Sequence, residues 1–375
     1  MLAMSSLLSY VGYNLPIVML SGSAFQRGHQ HGKAFSERIA RLIGQMRQSH
    51  SPAGYDQARV LASESWAGLQ TNAPTIAEEI CGIAAGSNSD PLELYCHIGF
   101  EFFEKETRTG CSGLALATRD GAILGQNWDC HPDLIDDLAL FLHVEEAGWS
   151  LAVIATVGTL GWVGQNSSGL ALLSMDTMLD CVERGIPSQV ARRLMLGEPD
   201  IQSALTHLED RPIMAGRSYL LGDRSGSIAA VEVSPSAGVC RLPNAGRYFH
   251  TNHALTSQTQ AVEDEQRLNL TYPSSRMRLA SLQCAGADAQ SVDDLKRILS
   301  NRENAPHSVA KTSSGLEPTM TAFSIVFDCG ERDFYLCSGP PAPDRYQRFY
   351  WPETKRADTP AFSPEPNGQP IGVEI

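Results

Sequence analysis

The sequence contains no apolar run long enough to cross a bilayer, no CxxC pair and no surplus of basic residues. Its longest apolar stretch, 151–164, holds three glycines and falls short of the roughly 20 residues that a membrane helix needs. Near the start, the run from Leu15 to Leu20 is short and contains Pro16, and the first 24 residues have neither Lys nor Arg, so no signal peptide or anchor is expected. With 29 basic against 42 acidic residues the formal charge is −13. That balance argues against a polyanion, because binding phosphates takes concentrated Lys and Arg. Neither nucleic acid nor a membrane is an expected partner, and the chain reads as a soluble cytoplasmic protein. The nine cysteines, at 81, 96, 111, 130, 181, 240, 284, 329 and 337, are odd in number, and in 375 residues they argue for reduced thiols rather than a secreted disulfide scaffold.

What is present is a globular composition, 42% hydrophobic, enough for one large core or two moderate ones. Residues 34–104 read as helices: Phe35, Ile39, Leu42, Ile43 and Met46 recur at spacings of three and four, and Ile76, Ile80, Ile83 and Ala84 repeat the pattern after Pro74. A third helix is expected from Asp90-Pro91, carrying Leu94, Tyr95, Ile98 and Phe102. After Cys111 the period shortens. The runs 113–118 and 122–129 flank Arg119-Asp120-Gly121, a hairpin signal. Strands are further expected at 138–144, 151–157, 170–175, 219–222, 228–233, 247–252, 322–327 and 334–337, with turns at Asp223–Gly226 and Cys329–Arg332 and helices at 188–196, 274–283 and 292–299. The series predicts an α+β fold with helices layered on mainly antiparallel sheets. From Pro340 on, eight of the 21 prolines and few apolar pairs predict an extended surface tail over 340–375.

The chemistry-bearing candidate is Thr109-Gly110-Cys111-Ser112-Gly113, where the helical part meets the sheet part. A thiol at the first residue of a strand is reachable there, and Gly110 leaves its own carbonyl open to the adjacent sulfur. A small buried thiol beside a flexible turn fits the same residues, and composition leaves both readings open.

The run Gly110-Cys111-Ser-Gly-Leu-Ala-Leu-Ala-Thr-Arg-Asp-Gly-Ala-Ile-Leu-Gly-Gln-Asn-Trp-Asp129 resembles the start of the mature β chain in the isopenicillin N acyltransferase (acyl-coenzyme A:6-aminopenicillanic acid acyltransferase) family of N-terminal nucleophile cysteine hydrolases. Gly22-Ser-Ala-Phe-Gln-Arg-Gly-His-Gln-His-Gly32, Gly164-Gln-Asn-Ser-Ser-Gly-Leu-Ala171 and Phe249-His-Thr-Asn-His253 resemble three more of its segments, in the same order, over roughly residues 20–340. The resemblance implies a four-layer αββα sandwich of two mainly antiparallel sheets, made as a precursor that cuts itself between Gly110 and Cys111. Residues 1–110 would then be a mainly helical pro-segment or α chain, residues 111–339 the catalytic β chain and residues 340–375 its tail, with both fragments staying associated.

On that resemblance Cys111 is the catalytic nucleophile, Asp129 the carboxylate that orients it and its amine, and Asn252 the donor to the oxyanion. The α-amino group freed by cleavage has a reference pKa of about 7.7–8.0, suited to act as the thiol's own base. The activity implied is cleavage or formation of a linear amide bond of a small N-acyl compound through a Cys111 thioester. The partner is thus a small-molecule amide or acyl thioester, and no cofactor is implied. Two alternatives remain: an amide hydrolase without acyl-coenzyme A activity, and a non-enzymatic binding protein that kept the fold.

A metal site is not expected. His29, His31, His250, His253, Cys130 and His131 match no zinc spacing, and histidines three apart in a strand point to opposite faces. Gly222-Asp-Arg-Ser-Gly226 lacks the order of a nucleophile elbow and reads as a hairpin turn. Arg217, Arg276 and Arg302 are candidates to meet a substrate carboxylate, with nothing in the sequence to choose among them.

Overall fold

Strands covered on both faces read as continuous apolar runs, and Leu138–Val144 is one of them. The computed structural model describes residues 15–103, 109–145, 150–182, 184–243, 245–314, 318–350 and 363–364. The strands are β1 (Ile17–Ser21), β2 (Thr109–Leu116), β3 (Ile123–Cys130), β4 (Leu138–Val144), β5 (Ser150–Thr156), β6 (Val163–Asn166), β7 (Ala171–Cys181), β8 (Ala215–Gly222), β9 (Ile228–Ser234), β10 (Gly238–Arg241), β11 (Arg247–His250), β12 (Met320–Asp328), β13 (Asp333–Ser338), β14 (Gln347–Tyr350) and β15 (Ser363–Pro364). They form two sheets, one in the order β1-β4-β5-β6-β7-β8-β9-β10 and one in the order β11-β2-β3-β12-β13-β14-β15. Among the described strands β1 and β4 alone pair in parallel, and an isolated bridge between Ile186 and Ile213 is parallel too.

The period of two assigns each side chain to a layer. In β4, Leu140 and Leu142 face the second sheet, while Phe141 between them faces the N-terminal helices. In β12, Ile325 and Phe327 face the first sheet and Val326 faces the helices on the far side. Three apolar layers therefore separate four structural ones. The outer layer on the first sheet holds α1 (Ala24–Ala34), α2 (Ser36–Ser49), α3 (Pro52–Asn72), α4 (Pro74–Ser87), α5 (Pro91–Ile98), α6 (Ser188–Leu196) and α7 (Ile201–Glu209). After the short α8 (Ser257–Gln260) and α9 (Glu265–Thr271), α10 (Ser275–Gly286) and α11 (Val292–Leu299) cover the second sheet through Leu282, Leu295 and Leu299. This is the αββα sandwich. Among the described residues no helix is long and apolar enough to cross a membrane.

Helices α1 and α4 touch backbone to backbone. A Cβ on Gly28 would lie 2.1 Å from Glu79 O, and one on Gly82 would lie 2.2 Å from Phe25 O, so glycine is required on both helices. Between the sheets, buried Gln126 of β3 exchanges two hydrogen bonds with the backbone of Ser174 in β7, at 2.9 and 3.1 Å. That bridge pins the two sheets together beside Cys111, which pairs with Trp128 two residues further along β3.

Two expectations change. The stretch after Pro340 does not run off as a tail: β14 pairs with β13, and Phe349, 2% exposed, stacks on Phe334 at 4.8 Å. The rest of that expected tail, 351–362 and 365–375, lies outside the described residues. Strand β2 begins at Thr109, so Cys111 is its third residue and not its first.

Candidate active site

The β2–β3 hairpin sets the geometry. Its register pairs Gly110 with Asp129 and Cys111 with Trp128. Alternation then sends the Cys111 side chain between the sheets, and Asp129 to the opposite face, alongside Gly110. A Cβ built on Gly110 would stand 3.5 Å from Asp129 Oδ2, 3.6 Å from Asn252 Oδ1 and 3.7 Å from Lys311 Nζ. Three polar groups thus surround the peptide before Cys111. Asp129 is fully buried, accepts from Thr321 Oγ1 at 2.7 Å and lies 4.0 Å from the Lys311 ammonium.

Asn252 lies just past the end of β11 and not within a strand, held there by its N–H donating to Ser275 Oγ at 2.9 Å. Its Oδ1 accepts from the Cys111 N–H at 3.1 Å and from Arg278 Nη2 at 2.7 Å, and its Nδ2 donates to the Asp176 carbonyl at 2.9 Å. Arg278, fully buried on α10, also donates to the Cys111 carbonyl and, at 2.8 Å, to Ser112 Oγ. The turn is tied from behind by Glu232, which meets His250 Nε2 at 2.8 Å and accepts from the N–H groups of Leu255 and Thr256. Burial alone would raise the Glu232 carboxyl, but His250 and the hydrogen bonds hold it down at about 2, so it stays a carboxylate.

Cys111 is 2% exposed, less reachable than its place in the sequence predicts. Burial, then the charges of Asp129 and Asp176, push its thiol up to about 12. It nevertheless reaches an open pocket of about 280 Å³ whose walls include Phe100, Trp128, Trp162, Asp176, Arg192 and Arg217. Arg217 is the one of the three sequence-named arginines that meets this pocket, where it pairs with Glu101 at 2.9 Å and Asp176 at 3.0 Å. Arg276 is exposed and pairs with Glu265, and Arg302 donates to the Pro341 carbonyl.

A thiol and a carboxylate from one hairpin and an amide from a distant segment thus meet at one peptide bond beside a pocket. Residues 116–343, more than half the chain, match the acyl-coenzyme A:6-aminopenicillanic acid acyl-transferase family. The chain belongs to this family. It is 26% identical over 340 residues to the acyl-coenzyme A:6-aminopenicillanic-acid-acyltransferase 40 kDa form of Emericella nidulans, covering 87% of this chain and 94% of that protein. It is also similar to two solved structures, each covering 61% of this chain. They are a conjugated bile acid hydrolase mutant from Clostridium perfringens (13% identity, 89% of that chain, TM-score 0.41) and the penicillin V acylase from Agrobacterium tumefaciens (11% identity, 82% of that chain, TM-score 0.36).

Membership of the acyltransferase family makes the chain an enzyme acting on carbon–nitrogen amide bonds. The matched span begins just past Cys111 and takes in Asp129, Asn252, Arg278 and Lys311. Sequence reasoning passed over the last two. Arg278 had one usable signal: it sits three residues after Ser275 and four before Leu282, on the buried face of α10, where a charge needs a partner. His31 accepts from the Gly158 N–H at 2.9 Å, while His250 serves Glu232.

Proposed function

We propose that the chain is a self-processing N-terminal nucleophile enzyme in which Cys111 cleaves the bond to Gly110 and then carries an acyl group as a thioester. The observation that carries this reading is the Cys111 N–H donating to Asn252 Oδ1 beside Asp129, because the α-amine released there inherits both an acceptor and a counter-charge.

In the first reaction the Cys111 sulfur attacks the Gly110 carbonyl carbon and its proton passes to the departing nitrogen. The C–N bond breaks as the C–S bond remains, leaving a thioester. Water then attacks that thioester and releases the Gly110 carboxylate, the free thiol and the α-amine. Residues 1–110 and 111–375 become two associated fragments. In the second reaction the neutral amine takes the thiol proton, and the thiolate attacks the substrate carbonyl. The resulting ammonium returns the proton to the leaving amine. Asp129, which accepts from Thr321 Oγ1 and lies 4.0 Å from the Lys311 ammonium, stabilises the ammonium form. Asn252 has one Nδ2 hydrogen on the Asp176 carbonyl and a second to give to the oxyanion.

The substrate is a small N-acyl compound, since the thiol opens into a pocket bounded by aromatic rings and not along a groove. Water or an amine can receive the acyl group, and the acyltransferase named as a relative supports transfer. The test is a slow acyl donor offered to the processed protein. The larger fragment should gain the mass of the acyl group, and the Cys111→Ala chain should not. Turnover without that adduct in trapping conditions, or an adduct on another residue, overturns the reading.

A further inference from the structure

Buried guanidinium groups are costly unless a carboxylate meets them. On the helical side of the first sheet this rule is kept three times: Arg27 pairs with Glu145 at 3.0 Å, Arg193 with Glu79 at 2.7 Å, and Arg217 with Glu101 and Asp176. Arg192 breaks it. Its residue is 2% exposed, and among the described residues its hydrogen bonds go to two neutral hydroxyls, Ser174 Oγ at 3.3 Å and Ser188 Oγ at 2.9 Å. Two of the five N–H donors of a guanidinium are therefore used, and Nε is buried with no partner. Burial pushes the group's pKa down, which marks the cost of the arrangement.

The group is also presented. Its guanidinium lies over the Trp162 ring, 5.1 Å from the centroid, and forms part of the wall of the pocket that Cys111 enters. Trp162 stands 5.7 Å from Trp128, giving the same pocket an apolar wall. Arg217, the neighbouring cation, contacts Glu101 and Asp176 directly, whereas Arg192 feels those two carboxylates only at longer range and keeps N–H donors for a ligand.

We infer that Arg192 is the recognition group for a carboxylate on the substrate, so that the amide taken by this pocket carries a free carboxyl group. Placement relative to the thiol rests on the reading of Cys111 as nucleophile. Asp176 sends a backbone hydrogen bond to that sulfur, and Ser174, which Arg192 touches, is two residues back along β7, roughly 7 Å away at strand rise. An N-acyl amino acid has that reach, with its carboxylate three bonds from the carbonyl carbon that the thiol attacks.

The test is a binding experiment that needs no thiol chemistry. Tryptophan fluorescence of the Cys111→Ala chain is titrated with 3-phenylpropionate and with its uncharged isostere 3-phenylpropionamide. The acid should saturate the signal, and the amide should bind more weakly by on the order of tenfold to a hundredfold, as for a charge-assisted hydrogen-bond pair. Arg192→Gln should erase that preference and Arg276→Gln should keep it. Should Arg192→Gln fail to fold, the acid–amide comparison in the parent chain decides alone. Equal affinity for acid and amide, no saturable binding of the acid, or an undiminished preference in Arg192→Gln each overturns the inference. A protein that forms the Cys111 thioester but shows no acid preference refutes Arg192 alone. One that prefers the acid but never forms the thioester refutes only the nucleophile.

Discussion

In the unbroken chain Cys111 is protonated at neutral pH, because burial and the nearby acids push its thiol up to about 12. Below that value the thiolate fraction climbs about tenfold per pH unit. Cleavage would place an ammonium on the nitrogen next to the sulfur, and an opposite charge at that range favours the thiolate. Two pH profiles should follow. In the chain before cleavage, alkylation of Cys111 by iodoacetamide, read by peptide mass, should rise about tenfold per unit from pH 7 to 10. In the processed fragment it should be faster at pH 7 and level off near the titration of the α-amine. Parallel profiles would mean that cleavage leaves the thiol unchanged. Asn252→Ala should lower turnover on the order of a hundredfold, the cost of losing one oxyanion donor, while the melting temperature stays within a few degrees. A collapse in melting temperature would assign Asn252 to the structure and not to the chemistry.

The elements carry a different lesson, best seen at α1 and α4. Gly28→Ala should destabilise by about 1–3 kcal/mol or more, since its Cβ would lie 2.1 Å from a backbone oxygen that cannot move without shifting α4. Gly44→Ala, in α2 with nothing within 4 Å of its Cβ, should instead stabilise by roughly 0.4–1 kcal/mol. Thermal melting of both variants checks the pair, and equal shifts would contradict the close α1–α4 contact. The same contact explains why α1 escapes a periodicity reading. Its buried face is Ala24, Arg27, Gly28, His31 and Gly32, almost without large apolar side chains. By contrast β4, α6 and α11 match their expected bounds, because dense apolar runs or a clear stripe and caps mark them. Strand β1 escaped because it is short and pairs with β4 far along the chain, and β14 because it is short and lies in the proline-rich stretch. At the site, Cys111, Asp129 and Asn252 were legible through short motifs. Arg278 and Lys311 were not, since they arrive from 167 residues past Cys111 or further, and local pattern carries no such distance.

For the whole molecule, buried neutral histidines tie stability to pH. Burial first of all pushes His31 and His143 down to about 3, and His31 Nε2 must stay unprotonated to accept from Gly158. Between about pH 6.5 and 3 the unfolded chain therefore binds protons that the folded one does not, and stability falls with pH by roughly 1.4 kcal/mol per unit for each histidine. Glu79 adds to the loss at lower pH: burial would raise its carboxyl, but Arg193 holds it down at about 2, so its contribution fades below about 4.5. Denaturant melts across pH 4 to 7 should show this slope. His31→Gln, which keeps an acceptor for Gly158, should flatten it, and an unchanged slope would mean that His31 is not buried neutral.

The sandwich would hold the two proposed fragments together, because β1 of the first pairs with β4 of the second, and Thr109 and Gly110 pair with β3. The most direct measurement of self-processing is the intact mass of the purified protein under denaturing conditions. The 40.7 kDa chain should appear as pieces of about 12 and 29 kDa, in proportion to 110 and 265 residues, with Cys111→Ala remaining whole. A wild-type protein that stays whole and is fully active on an N-acyl substrate would contradict the account.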